Sequence, residues 1–569
     1  MTALTASRVS KFPDAVGVLS NFTKEDTMSR LTIGLMAVLL LSAGPLFATG
    51  EGEAGAADMT PGAVLPWTGA EVVYNGFGAD LGIEEDPEAP VVQAYRETTG
   101  NVRIDWDTVP WNDYDTKLNL YLQSGDMPDI VWARESVPKA ATYGPVGIFL
   151  DWDQYKEYMP NMQKWAAQFP HVNNVLTDAG ERFAINDITT AEYIGEGYFY
   201  NASILAQAGI DGPPETMAEW LAQMKQIKAE LPDVDAFLTQ WGLSYFLHAF
   251  ARPMDVKIRG VEYDQNTGQW VYGPFQPNYR QLLEFVHEAY EAGAFNLDTI
   301  GESITSDRVA ELQEEGNYAF TYIYYGQTTG IWDYEAGKRP PEGFQGMKPP
   351  SFEGNTHYWI TVAHDTIPYW GYMASAKAKN PELLAAYVDN IMSEKSSELF
   401  EWGVEGLTFR RTDDGGYEYL PEFVNNSAGL RELGVGNFHD PRYIHYNDYD
   451  VIWFGKYFTK KDDVGRAAAA ADIKRLQAGE MIPLVNWPRP QMSAEQNDEI
   501  SKIMTPVNTF VEEERIKFIT GDRDLSEWDE FVAEIKKLGD VDKVLNYYNS
   551  GKQFPMGDRR YPALPADLQ

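Results

Sequence analysis

The stretch that most constrains this chain is Asp113–Trp132, DYDTKLNLYLQSGDMPDIVW. Tyr114, Leu118, Tyr121 and Leu122 fall at i, i+4, i+7 and i+8, one apolar stripe on the helical period. Ser124-Gly125 supplies a C-terminal stop, and Pro128 keeps the helix from resuming. Asp129–Trp132 then spells a short strand, ending on an aromatic where a pocket can open. Helix, tight turn and strand make one α/β unit, so the fold class expected is α/β.

The same alternation recurs. Glu71–Phe77 reads as a strand, with Phe77 placed where it meets a cleft. Pro90–Gly100 reads as a helix and Val102–Trp106 as a strand. Strands alternating with helices point to parallel βαβ connections. Glu196–Tyr200 is a strand leading into a short helix over Ala202–Gly209. Thr216 then caps a helix with Met217, Trp220, Leu221 and Met224 on one face. Val261–Gly273 alternates as a hairpin around Asn266-Thr267-Gly268, followed by an amphipathic helix within Pro277–Leu297. Asp264-x-Asn266-x-Gly268 has the opening of a calcium loop, but its twelfth position is Phe275 and not a bidentate Glu, so a turn is expected. Tyr318–Tyr322 and Trp370–Met373 are strands, and a helix after Asn380-Pro381 carries Leu384, Tyr387, Val388 and Ile391 on one side. The alanine run Ala467–Ala471 reads as helix, as do Thr505–Gly521 and Leu525–Leu538.

At 569 residues the chain is long for one domain, and two or more lobes are expected. Sixteen Trp and 33 Tyr exceed what packing requires; large cores explain them, and so does a carbohydrate cleft in which flat rings stack on sugar faces. The formal charge of −39 repels phosphate backbones and anionic membranes, which argues against nucleic-acid binding. There are no cysteines, which excludes disulfides, thiolate metal sites, Cys nucleophiles and a lipoprotein anchor. Leu31–Ala48 is an uncharged apolar run behind Met28-Ser29-Arg30, and residues 28–56 are expected to be a secretory signal cleaved after Ala48 or Ala56. An uncleaved membrane anchor is the rival reading. Residues 1–27 are expected to be a misassigned upstream extension, and 57–66 a tether.

Enzymatic cues are few. There is no G-x-x-x-x-G-K-[ST] and no G-x-S-x-G. The nearest histidine pairs, His357/His364 and His439/His445, lack ligand spacing on a helix, so neither a metal nor a cofactor is expected. A glycoside hydrolase carboxylate pair meets in space and not along the chain, so that enzyme class stays open as the alternative.

The wording of several segments is more specific. The form K-L-n-l-x-l-x-S-G-D-x-P-D-I-V in the opening stretch resembles the first lobe of extracellular (periplasmic) solute-binding proteins, family 1, of ABC transporters, of the large LipO-like, sugar-binding type. Strand, "A-G-I" at Ala208–Ile210 and P-x-T-x-x-E-W at Pro214–Trp220 resemble that family's crossing between lobes. Asn201-Ala202 stands where the family usually has a basic-acidic pair. The hairpin ending V-Y-G, the loop at Leu399–Phe409 and the C-terminal K-F-I-T-G with its following helix resemble the family as well, over about residues 67–550.

That resemblance implies a type II periplasmic-binding-protein fold with two lobes of discontinuous segments around a ligand cleft. Lobe one is expected over 67–197 with a return at 366–409, and lobe two over 198–365, completed by 410–569. It further implies a monomer in the periplasm or outside the cell, binding a small solute and docking on an ABC permease without chemistry. A sugar or oligosaccharide is the expected solute; peptides, polyamines and lipidic headgroups stay open, as does a binding protein that has lost its transporter. Candidate stacking residues at loops and strand ends are Trp132, Trp241, Tyr245, Tyr324, Tyr325, Trp370 and Trp402, each equally readable as an ordinary core or surface aromatic. Candidate polar partners are Asp113, Glu135 and Glu405.

Overall fold

The structure is a computed structural model that describes residues 65–80, 88–134, 136–186, 188–189, 193–239, 242–296, 315–326, 328, 340, 342–352, 358–363, 370–412, 416–423, 430, 432–435, 446–447, 463–485, 489–552, 564 and 568. The upstream extension, the signal segment with both cleavage sites, Glu135, Trp241 and all four histidines of the nearest pairs lie outside these residues.

The first lobe opens with strand β1 (Trp67–Asp80), helix α1 (Pro90–Thr99), β2 (Gly100–Pro110), α2 (Trp111–Ser124), β3 (Ile130–Arg134), α3 (Ser136–Tyr143), α4 (Pro160–Gln168) and β4 (Ile185–Asn186). Helix α2 forms for the reason its stripe gives: Tyr114, Leu118 and Leu122 are buried, and Gly125 ends it in the left-handed region at φ 68° while its N–H donates to Tyr121 O. The unit then closes on itself, because the Tyr114 hydroxyl donates to Trp132 O at 2.6 Å.

The chain crosses through β5 (Ile188–Thr189) and β6 (Tyr193–Ile194) into the second lobe: β7 (Glu196–Asn201), α5 (Ala202–Gln207), α6 (Met217–Glu230), β8 (Asp235–Thr239), α7 (Gly242–Ala251), the hairpin β9 (Val261–Asp264) and β10 (Gln269–Tyr272), α8 (Pro277–Glu291), β11 (Tyr318–Tyr324) and β12 (Phe344–Met347). Thr216 and Glu219 form a reciprocal capping box at α6. In the hairpin, the Asp264 carboxylate accepts from Asn266 N and Thr267 Oγ1, which makes it the cap of a turn.

A second crossing, β13 (Tyr358–Ala363), leads back to β14 (Trp370–Ala374), α9 (Pro381–Ile391), α10 (Glu394–Glu401), β15 (Phe409–Arg411) and β16 (Tyr417–Tyr419). After β17 (Tyr446–Asn447), helix α11 (Val464–Gln477) and β18 (Met481–Val485) lead to α12 (Ala494–Thr520), α13 (Trp528–Leu538) and α14 (Val541–Ser550).

Two sheets organise the lobes. The first has the order β2-β1-β3-β14-β4, the second β12-β7-β11-β8. The crossing strands form a separate three-stranded sheet, β18-β13-β6, in which β13 runs parallel to β18 and antiparallel to β6. The crossing segments are therefore hydrogen-bonded to one another, and β18 adds a strand to the two crossings legible in the sequence. One apolar core draws on Tyr74–Ile185 and Tyr372–Val435, the other on Tyr198–Met347 and Met492–Tyr548. Of the segment expected to complete lobe two, Met492–Tyr548 packs in the second core, but the first stretch after 410 does not. Tyr419 pairs with Phe409 across β15–β16, and with Leu430 and Val435 it packs in the first core.

The alanine run has a packing reason. A Cβ on Gly346 of β12 would lie 2.5 Å from Ala468 Cβ, so α11 seats on the sheet only with a glycine facing a small residue.

Candidate functional site

In the first sheet β1, β2 and β3 are parallel, and β14 runs against β3 with Trp370 opposite Arg134. Asp80 pairs with Pro110, and Gly371 with Asn186. The carboxyl ends of β1 to β4, the start of β14 at Trp370, and the first residues of α2 and α3 therefore share one edge. Beneath it the Asn186 Nδ2 donates to Ser136 Oγ at 2.6 Å, and a Cβ on Gly371 would meet both groups. Glycine is what lets that bond pass under the strand.

The second sheet presents the same edge. Tyr324 at the end of β11 pairs with Glu196 at the start of β7, and Thr239 at the end of β8 pairs with Tyr322. Open α/β sheets take ligands at the carboxyl ends of their strands. Each crossing leaves one of these edges and enters the other: β4 to β7 through β6, and β12 to β14 through β13.

At the second edge three tyrosines gather. Tyr245, on the first turn of α7, stacks on Tyr324 with centroids 6.2 Å apart and planes at 24°, and it leans on Tyr322 at 5.3 Å. Tyr245 and Tyr324 are both half-buried. Behind them lies a buried ion pair between Glu196 and Arg252, whose side chains are 5% and 9% exposed. The Tyr322 hydroxyl donates to the same Glu196 oxygen at 2.8 Å, and the Arg252 guanidinium sits 5.1 Å from the Tyr322 ring centroid. Burial works against the charge on Arg252, but Glu196 and the neighbouring tyrosines push its pKa up, so it stays charged. Burial, with Arg259, Arg252 and Arg515 nearby, holds His248 well below the usual imidazole range. Its ring is therefore neutral, and Nε2 accepts from Arg259 Nε at 3.0 Å.

The other candidates scatter. Trp370 is on the first edge through its backbone. Trp132 and Trp402 have their rings in the first core; Trp402 is 2% exposed and packs against Tyr417, Tyr419 and Phe409. Phe77 is also core, stacked on Tyr114 at 5.3 Å. Tyr325 is 1% exposed, with its hydroxyl donating to Asp472 of α11. Asp113 is exposed in the first turn of α2, and Glu405 is exposed and paired with Arg411 at 3.4 Å. Among the described candidates, the structure thus brings only Tyr245 and Tyr324 into ring contact. Sequence reasoning missed Glu196, Arg252 and Tyr322. The available signals were a carboxylate opening the apolar run EGYFY and an arginine closing the apolar helix GLSYFLHAFA.

Residues 82–398, more than half of the chain, match the family model for bacterial extracellular solute-binding proteins. The chain belongs to this family. It is 22% identical over 501 residues to FusA, a fructooligosaccharide ABC transporter substrate-binding protein of Streptococcus pneumoniae serotype 4, covering 80% of this chain and 85% of that protein. Among solved structures it resembles the alginate-binding protein AlgQ2 without calcium ion, with a TM-score of 0.69 and 18% identity over 86% of this chain and 99% of that one. It likewise resembles an HMO-binding, ABC-transporter-associated solute-binding protein from Bifidobacterium longum infantis, with a TM-score of 0.63 and 15% identity over 84% and 98%. These likenesses show the fold, that of the two-lobed periplasmic solute-binding proteins, as the sequence implied. The family is extracellular, and no helix among the described residues is long and apolar enough to cross a membrane.

Proposed function

We propose that this solute-binding protein is the substrate-binding component of an ABC importer and captures a sugar or oligosaccharide at the facing strand-end edges. The observation that carries the reading is the half-buried Tyr245–Tyr324 stack at the carboxyl ends of β8 and β11. Such rings offer an apolar face to a sugar ring. FusA, a relative along most of the chain, is named for a fructooligosaccharide. A solute touching both edges binds the closed arrangement better than the open one and shifts the population towards it. The closed monomer then docks on a membrane permease, and the solute passes on chemically unchanged. Trp370, at the opposite edge, is assigned to the same site, and export is assigned to the segment 28–56.

Calorimetric titration of the exported protein with fructo-, gluco- and manno-oligosaccharides tests this reading. Tyr324→Ala is expected to weaken binding of the preferred sugar by about tenfold, which is about 1.4 kcal/mol. Wild-type affinity in that variant removes the stack from the site. A sugar that is consumed during titration replaces the binding reading with a glycosidase.

A further inference from the structure

We infer that Glu196 and Arg252 act as a positioning pair that holds the tyrosine stack in register with the first crossing strand. The inference rests on the sugar-binding reading of the same edge and adds the residues that would set its geometry. Glu196 is the first residue of β7, separated from the crossing strand β6 by Gly195 alone. Its carboxylate joins two elements. One is Arg252, the residue just past the C-terminal end of α7, and the other is the Tyr322 hydroxyl of β11. The second bond continues outward, because the Tyr322 ring meets Tyr245, and Tyr245 stacks on Tyr324.

Helix α7 is thus held by its C-terminal end while its first turn presents Tyr245. A second bond, from the Tyr198 hydroxyl to Ala249 O at 2.8 Å, pins the same end. The chain of contacts runs from the exit of the crossing, through a carboxylate and a phenol, to two half-buried rings. The main-chain pairing of Tyr324 with Glu196 closes the loop on the sheet side.

A buried ion pair adds little stability relative to well-packed apolar residues of similar volume. What such residues could not supply here is the fixed acceptor for the Tyr322 hydroxyl and the cation over its ring. A pair that only filled volume would be replaceable, whereas one that aims Tyr322 and α7 would not.

The test uses the full exported protein and the saccharide that the wild type binds best by calorimetry. Glu196→Leu combined with Arg252→Met removes both charges together and leaves neither unpaired. The expected result is a melting temperature lowered by a few degrees at most, from the Tyr322 hydroxyl left without its acceptor, and an affinity lower by at least about tenfold. Glu196→Gln keeps an oxygen acceptor and is expected to lose less affinity than the double variant. A folded double variant that binds like the wild type overturns the positioning role and leaves sugar binding intact. Wild-type protein that binds no saccharide overturns the sugar-binding reading and this inference with it. If the double variant does not fold, Tyr322→Phe decides, because it removes the hydroxyl that links the carboxylate to the stack and keeps the ion pair: an affinity drop of about threefold or more supports the positioning role, and unchanged affinity overturns it.

Discussion

Burial of Asp389 makes the stability of the first lobe depend on pH. The residue lies on α9, is 3% exposed, and reaches across to the start of α4. There its carboxylate accepts from Met162 N at 2.7 Å, Asn161 N at 3.0 Å and Asn161 Nδ2 at 2.9 Å. Met159, the N-cap of α4, makes no side-chain cap, so Asp389 serves the orphan amides of a helix more than 200 residues away. Burial pushes its carboxyl from an ordinary 3.8 up to about 6, more than those hydrogen bonds hold it down. Well below pH 3.8 the group is protonated in both states, and its contribution to stability is at its largest. As pH rises towards 6 the unfolded chain releases the proton while the folded one keeps it, and above that the fold must bury the charge. The gap between the two values corresponds to about 3 kcal/mol lost across that window. Asp389→Asn removes the titration. Urea unfolding of both proteins between about pH 4 and pH 7.5, followed by tryptophan fluorescence, isolates the group as the difference between them. Wild-type stability relative to the variant is expected to fall by about 2–3 kcal/mol over that range. A difference that stays flat, or rises with pH, would refute the reasoning. It would mean that the amides of Asn161 and Met162 outweigh burial.

Trp402→Ala removes a ring from the first core and is expected to cost about 3–5 kcal/mol in urea unfolding while sugar affinity stays at the wild-type value. Gly346→Val drives a side chain into Ala468 and should lift α11 from the sheet, at a cost of about 1–3 kcal/mol by the same measurement. Mass spectrometry of the exported protein is expected to find a mature start after Ala48 or Ala56; a retained Leu31–Ala48 segment would make it membrane-anchored.

Local patterns were legible where local chemistry decides the outcome. The stripe on α2, the stop at Gly125 and the Thr216 cap follow from neighbouring residues, and the structure has them where the spacing puts them. Helix α12 was legible only in part. Pro506 suggests a start near Thr505, yet the helix begins at Ala494 under a Ser493–Gln496 capping box and passes through the proline. Ile500, Met504, Val507 and Val511 keep one buried face across it, and that packing outweighs the missing hydrogen bond. The strand β18 was hidden by Pro483, which is tolerated because β18 is an edge strand of its sheet. The site was harder to read. An aromatic at a strand end can face a cleft or a core, and Trp132, Trp402 and Phe77 turned inward. Glu196 and Arg252 stand 56 residues apart and meet only because β7 and α7 flank the same sheet edge, so no local spacing announces them.

The most direct test of the account is a thermal-shift and calorimetry screen of the mature protein against neutral mono- and oligosaccharides, with amino acids and peptides as controls and the ligand analysed afterwards. A solute that binds only the folded state raises the melting temperature by mass action. The account predicts a saccharide that stabilises the protein, binds at one site and is recovered unchanged. Stabilisation by a peptide or amino acid with none by any saccharide, or a saccharide recovered cleaved, would contradict it.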